Sequence, residues 1–390
     1  MSVLAAATPV FGLVVADPVF QTAAKPLTEL KVCVVVPVKD EALHLQQTLD
    51  ALRCQTDEAG VLLNAQYYEV LVLANNCTDH SYTIARAYQQ QYPDFQLHVD
   101  EVFLPPASAN IGTVRRMLMD EAYRRLLQSG NINGIIASTD GDTIVDSQWI
   151  YHVINEIAAG NDAVGGRILA HSTANSARLH HLRNVTYRCL LAKAEALIDP
   201  QPHDPWPRHF QYFGASLAVT CAMYHKAGRL PQVPYLEDDA FHKALVRQDA
   251  RIRKSYKVKV YTSDRTSGRV SIGFSEQLKK WTDESDAQIP QLVESTIGTL
   301  HSYHIRKKLR DCREHYLQIG AVSRKAVTQL SQELQADVIW LQHQIENLPS
   351  FGLLWEVVEP LLQRTTLYNH YQPEFIGHAI QQLRSFVKEK

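Results

Sequence analysis

The stretch VCVVVPVKDE, residues 32–41, joins a continuous apolar run to a polar turn. The run Val32–Val36 is typical of a strand that is buried on both faces, as strands of parallel sheets are. Pro37 ends the run, and the acidic pair Asp40-Glu41 precedes a helical pattern. That pattern is carried by leucines at helical spacing, Leu45, Leu49 and Leu52. The stretch therefore predicts a buried strand followed by a helix.

The same alternation continues along the next hundred residues. We expect strands near 68–73, 96–99 and 134–138, and helices near 81–90 and 113–127. Strands that alternate with helices predict an α/β fold, a mostly parallel sheet flanked by helices in the Rossmann-like manner.

Polar clusters follow three of these strands. They are Lys39–Glu41, Asn75–Asp79 and Asp140–Asp142. Because ligands bind beyond the carboxyl ends of the strands in such sheets, we expect the three clusters to line one crevice.

Composition excludes several classes of protein. The 390 residues carry 39 Lys and Arg against 41 Asp and Glu, a formal net charge of -2, so we expect no nucleic-acid partner. The six cysteines are scattered without a C-x-x-C pair, which favours free thiols and a cytoplasmic location. The early apolar run Val10–Ala16 is too short to span a bilayer, and we expect no transmembrane segment.

The length predicts more than one domain-sized unit. Residues 1–28 are aperiodic and are expected to form a flexible leader, and residues 29–274 carry the strand–helix alternation. Residues 275–390 are expected to be all-helical and suited to packing on the core or to self-association as a homo-oligomer. Within them, apolar residues from Val327 to Leu348 predict one face of a long helix that Pro349 ends.

Asp140-Gly141-Asp142 is the first candidate site. Two carboxylates separated by one residue after a buried strand can hold Mg²⁺ or Mn²⁺, which prefer oxygen ligands. Asp-Gly-Asp is also favourable turn chemistry, and the motif alone leaves both interpretations open.

Glu237-Asp238-Asp239 is the second. It lies at a predicted helix N-terminus, where carboxylates act as caps and are stabilised by the helix dipole. Three acidic residues exceed what a cap needs, so a general base is the competing interpretation.

Taken in order, these motifs resemble those of a family 2 glycosyltransferase with the GT-A fold, over about residues 30–275. Pro37–Glu41 resembles the nucleotide-binding P-x-x-N-E segment, and Asn75–Asp79 resembles the D-G-S-T-D segment. The segment 110–116 is similar to the N-x-G segment near the diphosphate. Asp140-Gly-Asp142 is similar to the metal-binding D-x-D, and Glu237-Asp238 to the E-D pair that carries the base.

The resemblance implies a role for each matched position. Asp140 and Asp142 would hold Mg²⁺ or Mn²⁺, and Asp238, next to Glu237, would be the catalytic base. The residues implied to bind the nucleotide-sugar donor, with Asn75 reading the nucleobase, are Pro37, Val38, Glu41, Asn75, Asp79, Gly112, Arg115, Arg116, Asp140 and Arg265.

The implied reaction is inverting transfer of a hexose from a UDP- or GDP-sugar to a hydroxyl acceptor. The Q-x-x-R-W motif of processive synthases is absent, which favours a non-processive enzyme. His242 is the nearest histidine to the E-D pair and a poor metal ligand, so the third ligand is left open.

Two other functions compete with this one. Asp140-Gly-Asp-Thr143 is similar to the opening motif of haloacid-dehalogenase-like phosphatases, in which Asp140 would be the nucleophile. Ile144 stands where that family expects Thr or Val. A non-catalytic nucleotide-sugar binding protein is the third class.

Overall fold

The structure is a computed structural model that describes residues 19–20, 24–170, 177–262, 274–365 and 368–389. Its strands are β1 (Val32–Val38), β2 (Tyr68–Asn75), β3 (Leu97–Val102), β4 (Ile135–Ser138), β5 (Thr143–Val145), β6 (Ala163–Ala170), β7 (Leu217–Thr220), β8 (Ile252–Thr262), β9 (Leu292–Val293) and β10 (Glu374–Phe375).

The helices follow in chain order. They are α1 (Leu45–Arg53), α2 (Ser81–Gln91), α3 (Ile111–Gln128), α4 (Trp149–Ala158), α5 (Ala177–Ile198), α6 (Cys221–Lys226), α7 (Glu237–Val246), α8 (Phe274–Asp286), α9 (Thr296–Ile319), α10 (Arg324–Glu333), α11 (Val338–Asn347), α12 (Phe351–Arg364) and α13 (Ile376–Glu389).

Strands β1 to β8 form one sheet in the order β3-β2-β1-β4-β7-β6-β8-β5. The pairs within β3-β2-β1-β4 and the pair β6-β8 are parallel, whereas β7 runs antiparallel to both of its neighbours and β5 to β8. The predicted α/β class with a mostly parallel sheet is confirmed.

Strand β1 is buried along its whole length. Cys33 and Val35 face a core with α3 and α7, whereas Val34 and Val36 face a second core with α1, α2 and α4. Because successive side chains of a strand point to opposite faces, an unbroken apolar run is what helices on both faces require.

The helical C-terminal region is present, with two corrections. The predicted long helix from Val327 to Leu348 is wrong: α10 and α11 are separated by Gln335, which has a φ of 50°. Asp337 caps α11 by accepting from the Trp340 amide at 2.7 Å. Both helices bury their apolar residues in one cluster. The apolar positions were therefore identified correctly, although they lie on two helices and not on one. The region is also not all-helical, since β9 and β10 form a two-stranded antiparallel ribbon.

This region packs on α5 and on the turn after α7. Arg306 and Arg310 of α9 form ion pairs with Asp199, which follows α5. Asp249, which follows α7, accepts hydrogen bonds from the first amides of α12. None of the described helices is long and apolar enough to cross a membrane.

Part of the predicted leader lies against the α/β core. Phe20 is buried, and the carbonyl of Ala24 accepts a 3.0 Å hydrogen bond from Arg125. Residues 1–18 and 21–23 lie outside the described part of the chain.

Candidate functional site

The Asp140–Asp142 turn lies directly against the end of β1. A Cβ atom on Gly141 would be 3.1 Å from Val38 Cγ2, 3.2 Å from Glu41 Cγ and 3.4 Å from the carbonyl of Pro37. The hydroxyl of Thr48 donates to the Gly141 carbonyl at 3.1 Å. Pro37, Val38 and Glu41 therefore form the wall against which this acidic turn is set.

The end of β2 supplies a buried amide. Asn75 is 6% exposed, and its Oδ1 has no hydrogen-bond partner among the described residues. A buried acceptor without a donor costs free energy, so such an atom is expected where a ligand supplies the donor.

The polar residues beyond Asn75 stabilise turns. Asp40 has a φ of 51°, and its Oδ1 accepts from the Thr78 and Asp79 amides. Asp79 is exposed and accepts from the amides of Ala42 and Ser81. Asp40, Cys77 and Asp79 have ligand-type atoms within 4.8 Å of one another, a geometry that a metal ion could use. The hydrogen bonds of Asp40 and Asp79 include those from the backbone amides of these turns, so we assign the two carboxylates a role in stabilising the turns.

Helix α3 brings one arginine to the acidic turn. Asn110 caps the helix by accepting from the Thr113 amide at 2.9 Å. Arg115 is buried, and its guanidinium donates to Glu237 through Nη1 and to Asp140 through Nη2.

The other two α3 positions that the sequence singled out have different surroundings. Arg116 donates to Asp120 at 2.6 Å and to the Leu230 carbonyl, not to the acidic turn. A Cβ atom on Gly112 would overlap the Val233 carbonyl, so this glycine allows α3 to approach the segment that leads into α7.

Helix α7 brings the second acidic motif to the same point. Leu236 has a φ of 54°, and the helix begins at Glu237. The buried carboxylate of Glu237 forms an ion pair with Arg115. Asp238 is partly buried, and its oxygens accept from the Gly214 amide at 3.0 Å and the Asp239 amide at 2.8 Å.

The electrostatics of the cluster are dominated by carboxylates. The pKa of Asp140 is raised to about 6: burial is the largest cause, Arg115 opposes it, and the negative charges of Asp142, Glu237 and Asp238 add to the rise. Burial disfavours the charged form of Arg115, but Glu237 and Asp140 raise its pKa above the ordinary value. Two carboxylates, those of Asp140 and Glu237, thus bond the guanidinium of Arg115, and the charges of Asp142 and Asp238 also act on Asp140.

Tyr212 packs against α7, a contact that the sequence did not predict. The hydroxyl of Tyr212 donates to Asp239 at 3.1 Å, and the Tyr212 ring stacks on His242 with centroids 3.8 Å apart. Burial lowers the pKa of His242 to about 3. This ring packing gives His242 a structural role behind α7.

The structure thus brings together Asp140, Asp142, Arg115, Glu237 and Asp238. Arg265 lies outside the described residues, but Thr262, three residues before it, pairs with Thr143 next to Asp142. Gly214 belongs to none of the matched motifs, yet its amide is one of the two described backbone donors to Asp238.

Residues 33–217 match the family model described as Glycosyl transferase family 2. Glu237 and Asp238 lie beyond the matched segment. The chain is also similar to Glycosyltransferase AglE of Haloferax volcanii, with 30% identity over 139 residues, 35% of this chain and 39% of the relative. The chain therefore matches about two fifths of that relative's length.

Two solved structures are distantly similar. TarS 1–349 from S. aureus, in complex with UDP-GlcNAc, aligns with 13% identity and a TM-score of 0.42 over 85% of this chain and 92% of that one. The mannosyltransferase PcManGT from Pyrobaculum calidifontis, in complex with GDP-Man and Mn²⁺, aligns with 13% identity and a TM-score of 0.42 over 95% and 89%.

Proposed function

We propose that this chain, whose residues 33–217 belong to glycosyl transferase family 2, is a glycosyltransferase that moves a hexose from a UDP- or GDP-sugar to a hydroxyl acceptor with inversion. The observation that carries the proposal is the meeting of the two acidic motifs, since Arg115 bonds both Asp140 and Glu237. A metal-binding pair and a base must lie this close if they are to act on one bond.

The charges at the acidic turn fit a divalent cation. Among the described residues of the cluster, the four carboxylates of Asp140, Asp142, Glu237 and Asp238 outnumber the guanidinium of Arg115. Hard cations prefer carboxylate oxygens. Asp142 and Asp140 would hold Mg²⁺ or Mn²⁺. Bound there, the ion would offset negative charge on the diphosphate of the donor.

Asp238 is the candidate base. The amides of Gly214 and Asp239 fix its orientation, and each carboxylate oxygen keeps a lone pair for a further donor. Its oxygens would accept the proton of the acceptor hydroxyl as that oxygen attacks the anomeric carbon. One direct displacement needs a single base, unlike the two carboxylates of glycosidases.

Asn75 is the candidate residue for binding the nucleobase. Its buried Oδ1 lacks a donor among the described side chains, and uracil and guanine both offer a ring N–H. Pro37, Val38 and Glu41 lie next to Gly141 of the acidic turn, and they would contact the same donor nucleotide.

A thermal-shift panel tests the proposal. UDP- and GDP-sugars, each with and without Mn²⁺, should raise the melting temperature of the wild-type protein only with the cognate nucleotide. Asp142→Ala should lose the metal-dependent shift, and Asp238→Asn should keep donor binding while losing turnover. The control is Asp311→Asn on α9, which removes a surface ion pair with Lys307. It should change neither the metal-dependent shift nor the turnover. A panel in which no sugar nucleotide stabilises the wild type would overturn the proposal.

A further inference from the structure

The surroundings of Arg115 do not suit a phosphate ligand. Its side chain is 4% exposed, and both Nη atoms are committed to carboxylates. Its Nε is buried without a described partner. A guanidinium that binds the donor diphosphate would need an open face, and little of this one reaches the crevice.

The partners of Arg115 come from two different parts of the fold. Asp140 follows β4, and Glu237 begins α7, which also carries Asp238. Arg115 itself comes from the first turns of α3. One planar guanidinium can hold two carboxylates at once in fixed directions, which the single ammonium of lysine cannot do.

We infer that Arg115 is a positioning residue: an internal counter-cation that holds the metal-site carboxylate Asp140 and the base-bearing helix α7 together before metal binds. The inference rests on the proposed metal site. It replaces the diphosphate-binding role that the sequence implied for Arg115 with a role inside the protein.

The charge balance gives the inference a specific consequence. Without Arg115, the cluster keeps four carboxylates and loses the guanidinium that bonds two of them in the described part of the chain, so the metal-free fold should be destabilised. An added divalent cation then supplies the missing positive charge. Metal should therefore stabilise a protein without Arg115 by more than it stabilises the wild type.

The experiment compares Arg115→Met with Arg125→Met, because Arg125 lies on the same helix and provides a matched control. Arg125 is also buried and bonds Glu69 through two hydrogen bonds of 2.8 and 2.6 Å. Glu69 is near the start of β2, at the opposite end of the strands from the acidic turn. Both variants lose a buried arginine that is paired with carboxylate, and only one of the two arginines touches the site.

The first readout is the melting temperature without donor, with EDTA and with saturating Mn²⁺. We expect both variants to melt lower in EDTA, by roughly 3–8 °C. The rise on adding Mn²⁺ should exceed the wild-type rise in Arg115→Met and equal it in Arg125→Met. Equal rises in all three proteins would overturn the inference. A wild type with no rise at all would instead refute the proposed metal site.

The second readout separates positioning from donor binding. Arg115→Lys should lower kcat by about 10- to 100-fold and leave the donor KM within about threefold of wild type. A rise in KM with unchanged kcat would show a phosphate-binding role and overturn the inference. If Arg115→Met does not fold, the double variant Arg115→Met with Glu237→Gln removes both charges of that pair, and the same Mn²⁺ comparison is made on it against Glu237→Gln alone.

Discussion

Gly214 lies against the guanidinium of Arg115, so close that a Cβ atom at position 214 would overlap Nη1 and Cζ. The same glycine donates its amide to Asp238. One small residue therefore touches both the arginine that joins the acidic motifs and the candidate base. The close approach explains why this loop requires a residue without a side chain.

Gly214→Ala should reduce turnover by at least about 100-fold, because the methyl group displaces either Arg115 or the loop that orients Asp238. The long Arg115 side chain can yield, so the melting temperature should fall by only a few degrees. The measurement is kcat with the cognate donor, beside a melting curve. Gly377→Ala is the control, since a Cβ atom there meets nothing within 4 Å. Full activity of Gly214→Ala would contradict the assigned geometry.

Asp249 joins the helical region to the turn after α7. It accepts hydrogen bonds from the Phe351 and Gly352 amides at 2.9 and 2.8 Å, and its φ is 52°. Asp249→Ala loses this cap and adds backbone strain, which should cost about 1–2 kcal/mol locally. The amides of residues 351 and 352 should then exchange hydrogen about tenfold faster or more.

Asp249→Asn is the control for that experiment, since asparagine keeps one acceptor oxygen and tolerates a positive φ. Its exchange rates should lie much nearer to the wild-type values. Unchanged exchange in Asp249→Ala would show that these hydrogen bonds do not hold α12 in place.

Glu69 makes the stability of the α/β core depend on pH. Burial would raise its pKa, but hydrogen bonds from Arg125 and His98 lower it to about 2, below the ordinary value of 4.5. A lowered carboxyl pKa stabilises the fold fully above about pH 4.5, and the contribution is lost as the pH falls towards 2.

Glu69→Gln should therefore be less stable at pH 7 and should lose part of the pH dependence between 4.5 and 2. Urea midpoints measured across that window check both effects. Glu29→Gln, a change of an exposed residue, should keep the wild-type slope. Parallel wild-type and Glu69→Gln curves would contradict the assignment.

The meeting of the polar clusters could be predicted because it follows from strand direction. Val38 pairs with Ala74, and Val35 pairs with Ser138, so β1, β2 and β4 end at the same edge and the turns that follow are neighbours. An apolar run buried on both faces was enough to indicate that arrangement.

Other features depend on contacts that the sequence does not encode locally. Arg115 and Arg116 are adjacent on α3 and differ by about 100° around its axis, and only tertiary packing decides which one faces Asp140. The antiparallel strand β7 is four residues long, too short for a clear pattern. Asp337 is the N-cap of α11, and a capping residue at this position indicates that a new helix begins there. The apolar spacing continues across it without a change, which favoured the prediction of one long helix.

The central claim is that the cluster around Arg115 transfers sugar from a nucleotide donor, with Asp238 as the base. Release of nucleoside diphosphate from UDP- and GDP-sugars, with and without Mn²⁺, tests it most directly in the wild type and in Asp238→Asn. We predict metal-dependent release from one donor class by the wild type, and at least about 100-fold slower release by Asp238→Asn at equal donor binding. Equal rates in the two proteins, or no release from any donor by a wild type that binds Mn²⁺, would contradict it.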